Sequence, residues 1–157
     1  MLNLLKSIID DNKNINFETG DHFLWNPSSS TVVYVEDEVY ELGGIWSLLH
    51  ELGHAKLNHK SYRDDLELLM MEVAAWGKAQ KIAKDYNVSI DEHHVEKCVD
   101  SYRVWLHTRS RCIDCKTNSL QLNKTTYQCH NCGTKWSVPE SAICKVRKTR
   151  VTKNTPA

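Results

Sequence analysis

His50-Glu51-Leu52-Gly53-His54 is the stretch on which the reading of this 157-residue chain turns. On an α-helix, residues four apart lie one turn apart on the same face. Both imidazoles can therefore reach one zinc ion at about 2.0–2.1 Å. Glu51 sits about 100° round the helix from His50, close enough to that face to reach a water in the open coordination position. That is the general-base role this motif implies. A chance match, given the histidine and glutamate content of the chain, arises roughly 2% of the time, so context decides. Around it, Ile45, Leu48, Leu49 and Leu52 recur with helical spacing and predict a helix from Gly44 to about Asn58. Gly53 leaves room for a close packing partner.

A catalytic zinc site needs a third protein ligand and an open fourth position. The metzincin pattern would place that ligand six residues after His54, with a glycine midway. Those positions hold Lys60 and Leu57, and His59 is out of register. The other solution is a carboxylate from the next helix, predicted over about Asp64 to Tyr86 with Leu66, Leu69, Met70, Val73, Trp76 and Ile82 as its apolar stripe. Glu72, with 17 residues between it and His54, is the best placed, and Glu67 is its rival. Asp64 and Asp65 lie too near the turn. Small residues at Ala74, Ala75 and Gly77 would let the two helices approach.

Outward from this pair, Met1 to Asp11 reads as a short amphipathic helix. His22 to Trp25 and Thr31 to Val35 read as a hairpin across the turn-forming Asn26-Pro27-Ser28-Ser29-Ser30, with a short third strand at Val39 to Leu42. Ser89 and Glu92 match a capping box opening a third long helix, with Val95, Cys98, Val99, Tyr102 and Trp105 on its buried side. No internal repeat stands out.

These residues resemble the ImmA/IrrE-type metallopeptidases, gluzincin-like proteins of bacteria and their mobile elements. The resemblance covers residues 1 to 85 and rests on His50-Glu51-Leu52-Gly53-His54, a glutamate with an alanine/aromatic stretch on the next helix, and a preceding small sheet. It implies a zincin-like α+β fold in which an edge strand holds an extended peptide above the metal. It also implies cleavage of a regulatory protein, with His50, His54 and Glu72 as zinc ligands and Glu51 as base. Glu72-Val73-Ala74-Ala75-Trp76-Gly77 departs from the family's Glu-Ala-Asn-x-Phe-Ala-like stretch. For an oxyanion-stabilising donor, His93, His94, Tyr102 and His107 all stand open.

Cys112-Ile113-Asp114-Cys115 and Cys129-His130-Asn131-Cys132 form two Cys-x-x-Cys knuckles, 13 residues apart. Four thiolates make a closed tetrahedral site for a second, structural zinc, and a ribbon this small folds because the metal supplies what its core lacks. Gly133 follows the second knuckle where the chain must turn, and His130 reads as exposed, not as a ligand. Cys98 and Cys144 are left over as small apolar residues or incidental thiols. The domain reading is residues 1–108 for the zincin-like part, 109–139 for the ribbon and 140–157 for a basic, flexible tail.

Charge divides the same way. Residues 1–102 hold 9 Lys/Arg against 18 Asp/Glu, and residues 103–157 hold 11 against 2, so a neutral total is made of −9 and +9. Trp136 with Arg109, Arg111, Lys116, Lys124 and Lys135, followed by Lys145, Arg147, Lys148, Arg150 and Lys153, makes nucleic acid a candidate partner. An acidic protein, or the chain's own acidic half, would complement the same charge. No apolar run reaches the roughly 20 residues of a membrane span, and no export signal is evident, so the expected place is the cytoplasm. The expected function is a zinc-dependent endopeptidase acting on an intracellular protein. Two alternatives stand beside it. One is a SprT-like nucleic-acid-associated protease, which needs a His-Gly-x-x-Phe-like stretch that His93-His94-Val95-Glu96 does not supply. The other is a non-catalytic zinc-ribbon module.

Overall fold

The computed structural model describes residues 2–140 and 145–152. Cys144 and the end of the basic tail from Lys153 lie outside the described residues. The architecture is α+β, with four helices and two small sheets among the described residues: α1 (Leu2–Asp11), β1 (Asn16–Thr19), β2 (Leu24–Asn26), β3 (Thr31–Tyr34), α2 (Leu42–Lys56), α3 (Asp65–Asp85), α4 (Glu92–Ser110), β4 (Leu120–Asn123), β5 (Thr126–Gln128), β6 (Lys135–Ser137) and β7 (Thr149–Arg150). No helix among the described residues is long and apolar enough to cross a membrane.

The chain forms two compact units. One takes the chain up to Ser61 together with Met70–Glu96; the other takes Tyr62–Leu69 and the chain from Lys97 onward. Neither is a contiguous segment, in contrast to the boundary expected after residue 108.

In the first unit the sheet order is β1-β3-β2, with β1 parallel and β2 antiparallel to the central β3. The expected hairpin is β2–β3. Strand β1 has no counterpart in the sequence reading, because Asn16-Phe17-Glu18-Thr19 pairs through its backbone and carries a single apolar residue. The third strand expected at Val39 to Leu42 is instead a turn, closed by Val39 N–H donating to Val35 O and Glu41 N–H to Glu38 O. Val39 is buried there as a plug, and α2 starts directly after it.

Two helices end alike. After α2, Asn58 takes a left-handed φ of 55°, its N–H reaching Ala55 O while His59 N–H reaches His54 O at 3.1 Å. After α3, Asn87 has φ 56°, bonding Lys84 O, and Val88 bonds Ala83 O. Both are Schellman caps with asparagine, which tolerates the left-handed region, in the place usually held by glycine. The N-terminus of α4 also differs from expectation. The cap is Asp91, whose carboxylate accepts from His93 N–H at 3.0 Å, so Ser89 and Glu92 form no capping box.

The second unit is organised by a buried ion pair. Arg109 and Asp65 are 1% and 2% exposed, and Arg109 Nε donates to Asp65 Oδ2 at 2.6 Å. Asp65 also accepts from Tyr127 OH and from Gln121 Nε2, and its own N–H donates to Gln121 Oε1. Arg109 Nη2 donates to Asp65 Oδ1 at 3.2 Å and to the Lys124 carbonyl, Nη1 donates to the Pro139 carbonyl, and the guanidinium lies 4.1 Å from the Trp105 ring centre. Burial, then the Asp65 hydrogen bond, push the Tyr127 hydroxyl pKa up, which keeps it a donor. Arg109, counted in the sequence among the basic residues available to a partner, is thus an internal group. The stretch read as a tail contributes β7, paired antiparallel to β6, and Arg150 of that strand ion-pairs with Asp114.

Arg109→Ala should lower stability by about 3 kcal/mol, since it leaves a buried carboxylate without its counter-charge while Gln121 and Tyr127 still donate to it. Asp65→Asn combined with Arg109→Met should cost less than the single change, because no uncompensated charge remains. Urea unfolding midpoints of the three chains check this; a wild-type midpoint for Arg109→Ala would show the pair to be dispensable.

Candidate metal centres

Three ligand atoms converge in the first unit. His50 Nε2 lies 3.1 Å from Glu72 Oε2, His54 Nε2 lies 3.2 Å from His50 Nε2, and His54 Nε2 lies 3.6 Å from Glu72 Oε1. Ligands held tetrahedrally at about 2.0–2.1 Å from a zinc-sized ion are about 3.3–3.4 Å apart, inside the spread of those separations. All three side chains are buried, and together they form a candidate metal site.

The helices make this possible by close approach. A Cβ on Gly53 would stand 2.5 Å from the Ala75 carbonyl oxygen, so α2 and α3 touch backbone to backbone there. The buried line of α3 runs through Asp65, Leu68, Glu72, Ala75, Trp76, Ala79 and Ala83. Leu66, Met70 and Val73, expected on the apolar stripe, are exposed. Glu72 is therefore inward because it shares a face with Leu68, Ala75 and Trp76, not with Met70 and Val73. Its rival Glu67 is at the surface, paired with Arg63. Burial alone would push the Glu72 carboxyl up, but hydrogen bonds from His50 and His54 bring it down, to about 2, so it is an anion at neutral pH.

Glu51 points to the sheet. Its Oε2 accepts from the backbone N–H of Trp25 on β2 at 2.7 Å. Burial pushes its carboxyl up from the ordinary range, against the pull of His50 and His54. The Trp25 indole N–H donates to His59 O at 2.8 Å, and His59 Nδ1 lies 2.9 Å from His54 Nδ1. Burial, and then the neighbouring His54, push the His59 imidazole down. His50 stacks on Trp76 with ring centres 4.3 Å apart, and its Nδ1 is buried with no partner among the described residues.

His59 was set aside in the sequence because it fits no metzincin register. The signal that finds it is Asn58. An asparagine ending a helix in the left-handed conformation makes the next residue contact the side chain five positions back, here His54. Of the residues open for an oxyanion role, His93 is exposed and His94 lies edge-on to Trp46 and Trp76, with the Trp76 indole stacked on His50. Tyr102 and His107 belong to the second unit.

The four cysteines of the ribbon form the second candidate site. Cys112 Sγ is 3.7 Å from Cys132 Sγ, and Cys115 Sγ is 3.4 Å from Cys129 Sγ. A tetrahedral ion with metal–sulfur distances of about 2.3 Å separates its thiolates by about 3.8 Å, whereas a disulfide would bring two sulfurs to about 2.05 Å. Each knuckle is the same six-residue turn. Cys112 N–H bonds Thr117 O, and Cys129 N–H bonds Thr134 O. The residue after the second cysteine has positive φ in both: Lys116 at 63° and Gly133 at 76°. The letters carry the repeat as Cys-x-x-Cys-x-Thr in both copies, with a lysine in one at the position where the other has glycine. Hydrogen bonds from Thr117 hold the Cys115 thiol down, to about 5, which favours the metal-binding thiolate. Cys112, Tyr127, Cys129, Trp136 and Val138 form the core, with Tyr127 and Trp136 stacked. His130 is exposed, as expected, and Cys98 is half-buried.

No family model, curated protein or solved structure matches this chain. What the two centres can do follows from their own side chains.

Metal analysis should give two ions per chain. His50→Ala and Cys129→Ser should each retain one, and the double variant none. A count of two in either single variant would sink the site it alters.

Proposed function

We propose that this chain is a zinc-dependent endopeptidase of the zincin type, resembling the ImmA/IrrE metallopeptidases, with a structural zinc in its ribbon. The observation that carries the reading is the convergence of His50 Nε2, His54 Nε2 and the Glu72 carboxylate at tetrahedral spacing, with Glu51 on the same helix one residue from a ligand. Two imidazoles and one carboxylate, leaving one corner open, are the donor set of a catalytic zinc, and four thiolates are that of a structural one. Zinc bound at the first site supplies Lewis acidity and an acidified water near neutral pH.

The chain's own part is the proton transfers and the alignment. Glu51 accepts the proton of the attacking water and delivers it to the leaving amine, and a carboxyl raised above its ordinary pKa is better suited to that second step. Strand β2 is an antiparallel sheet edge, and its Trp25 N–H faces Glu51, so this edge runs beside the base. A substrate pairing with it as an extended strand would take the Trp25 amide from Glu51 and so release the carboxylate beside the metal site. The substrate is then a protein segment free to extend, in keeping with a regulatory protein as target. An intact Glu51 beside the triad favours an enzyme over a non-catalytic module.

Glu51→Gln should keep both metal ions and lower turnover by at least about 100-fold. It doubles as a trap, and proteins it captures should be cut by the wild type. Full turnover in Glu51→Gln refutes the base, and a metal-loaded wild type that cuts none of the captured proteins refutes the peptidase.

A second reading concerns the ribbon. Arg111, Lys116 and Lys148 line one surface pocket with Cys112 and Ile113, and no acidic residue lines it. Burial, then repulsion from Lys116 and Arg111, push the Lys148 ammonium pKa down, with Cys112 pulling the other way. Asp114, the acid nearest in sequence, is taken by Arg150 and Thr134. This favours a phosphate backbone as the ribbon's partner. Generic single- or double-stranded DNA or RNA should be retarded in a gel at low salt and released as salt rises, and Arg111→Ala with Lys148→Ala should weaken binding. No retardation at low salt removes nucleic acid.

A further inference from the structure

We propose that His59 is a positioning residue of the metal centre: it accepts the Nδ1–H of His54 and so fixes the tautomer that turns the His54 Nε2 lone pair toward the metal. This rests on the reading of His50, His54 and Glu72 as metal ligands.

A neutral imidazole carries one N–H, and a metal can bind only the nitrogen without it. His54 presents Nε2 to the ligand cluster, 3.2 Å from His50 Nε2 and 3.6 Å from Glu72 Oε1. Its proton therefore belongs on Nδ1. The group facing that nitrogen is His59 Nδ1, at 2.9 Å. Two nitrogens at that distance need one donor and one acceptor, so His59 is the tautomer protonated on Nε2, offering the Nδ1 lone pair. It faces the back of His54, away from the cluster, and is not itself a ligand.

The backbone builds this contact. Asn58 in the left-handed conformation closes a Schellman cap in which His59 N–H bonds His54 O at 3.1 Å, bringing residue 59 over residue 54. The His59 carbonyl is then held by the Trp25 indole N–H at 2.8 Å. Trp25 thus fixes the positioning residue through its side chain and Glu51 through its backbone. His50 lacks such a partner and is held by stacking on Trp76. The two histidine ligands are oriented by different means, and among the described residues another side chain faces the Nδ1 of His54 but not that of His50.

The test uses the full chain with both sites filled by cobalt(II), because only the thiolate site gives sulfur-to-cobalt charge transfer and the two sites can be titrated separately. His59→Phe, which keeps a ring but offers no acceptor, should weaken the His50/His54/Glu72 site about 10–100-fold and leave the ribbon site unchanged. His59→Gln, whose side-chain oxygen can accept, should restore most of that loss. Binding within about twofold of wild type in His59→Phe would overturn the assignment, as would equal loss in both variants. Nitrogen-15 spectra of the wild-type imidazoles give a reading that needs no variant: His54 protonated on Nδ1 and His59 on Nε2 are expected, and His59 protonated on Nδ1 would overturn it. Should the wild type bind no ion at this site, the metal reading itself fails, which is distinct from a bound ion indifferent to residue 59.

Discussion

Helices α2 and α3 approach closely enough for their side chains to form one candidate metal site because residue 53 has no side chain. The Ala75 carbonyl occupies the space a Cβ at Gly53 would need. The close approach leaves the Glu72 carboxylate 3.1 Å from His50 Nε2 and 3.6 Å from His54 Nε2. The alanines at 75, 79 and 83 continue the flat seam, and Trp76 closes it against the His50 ring. The geometry of the centre is thus set by what is missing along the seam as much as by its ligands.

Much of this was legible in the letters. The three long helices fell where apolar spacing put them, and the two histidines, Glu72 and the four cysteines are brought together as their spacing demands. The misses have physical causes. On α3 Trp76 is buried as its spacing predicts, but hydrophobicity also selects Leu66, Met70 and Val73, which are exposed, while close packing buries the alanines. Strand β1 leaves no trace because its stabilisation is in the backbone ladder. Val39 is buried in a turn, where a lone apolar residue mimics a strand. His59 enters the site only through the conformation of Asn58, and the positive φ that Lys116 shares with Gly133 is one the lysine does not announce.

The ribbon core and the ion pair beneath it are a single construction. Trp136 donates its indole proton to the Arg109 carbonyl, Tyr127 stacks on Trp136, and the Tyr127 hydroxyl reaches Asp65. Thiolate spacing at one end and a desolvated charge pair at the other hold the same three strands. A small β module with five core side chains gains from both, since neither alone offsets the cost of ordering it.

Asp65 gives that arrangement a consequence for a shortened chain. Its partners Arg109, Gln121 and Tyr127 all come from beyond residue 108, while its own segment, Tyr62–Leu69, is inserted into the first unit's stretch of sequence. A chain ending after the long fourth helix would keep Arg109 but lose Gln121 and Tyr127, leaving the buried Asp65 carboxylate short of two of its hydrogen-bond donors. The ribbon's strands are therefore anchored to a carboxylate that the sequence supplies more than 50 residues earlier, at the first position of α3.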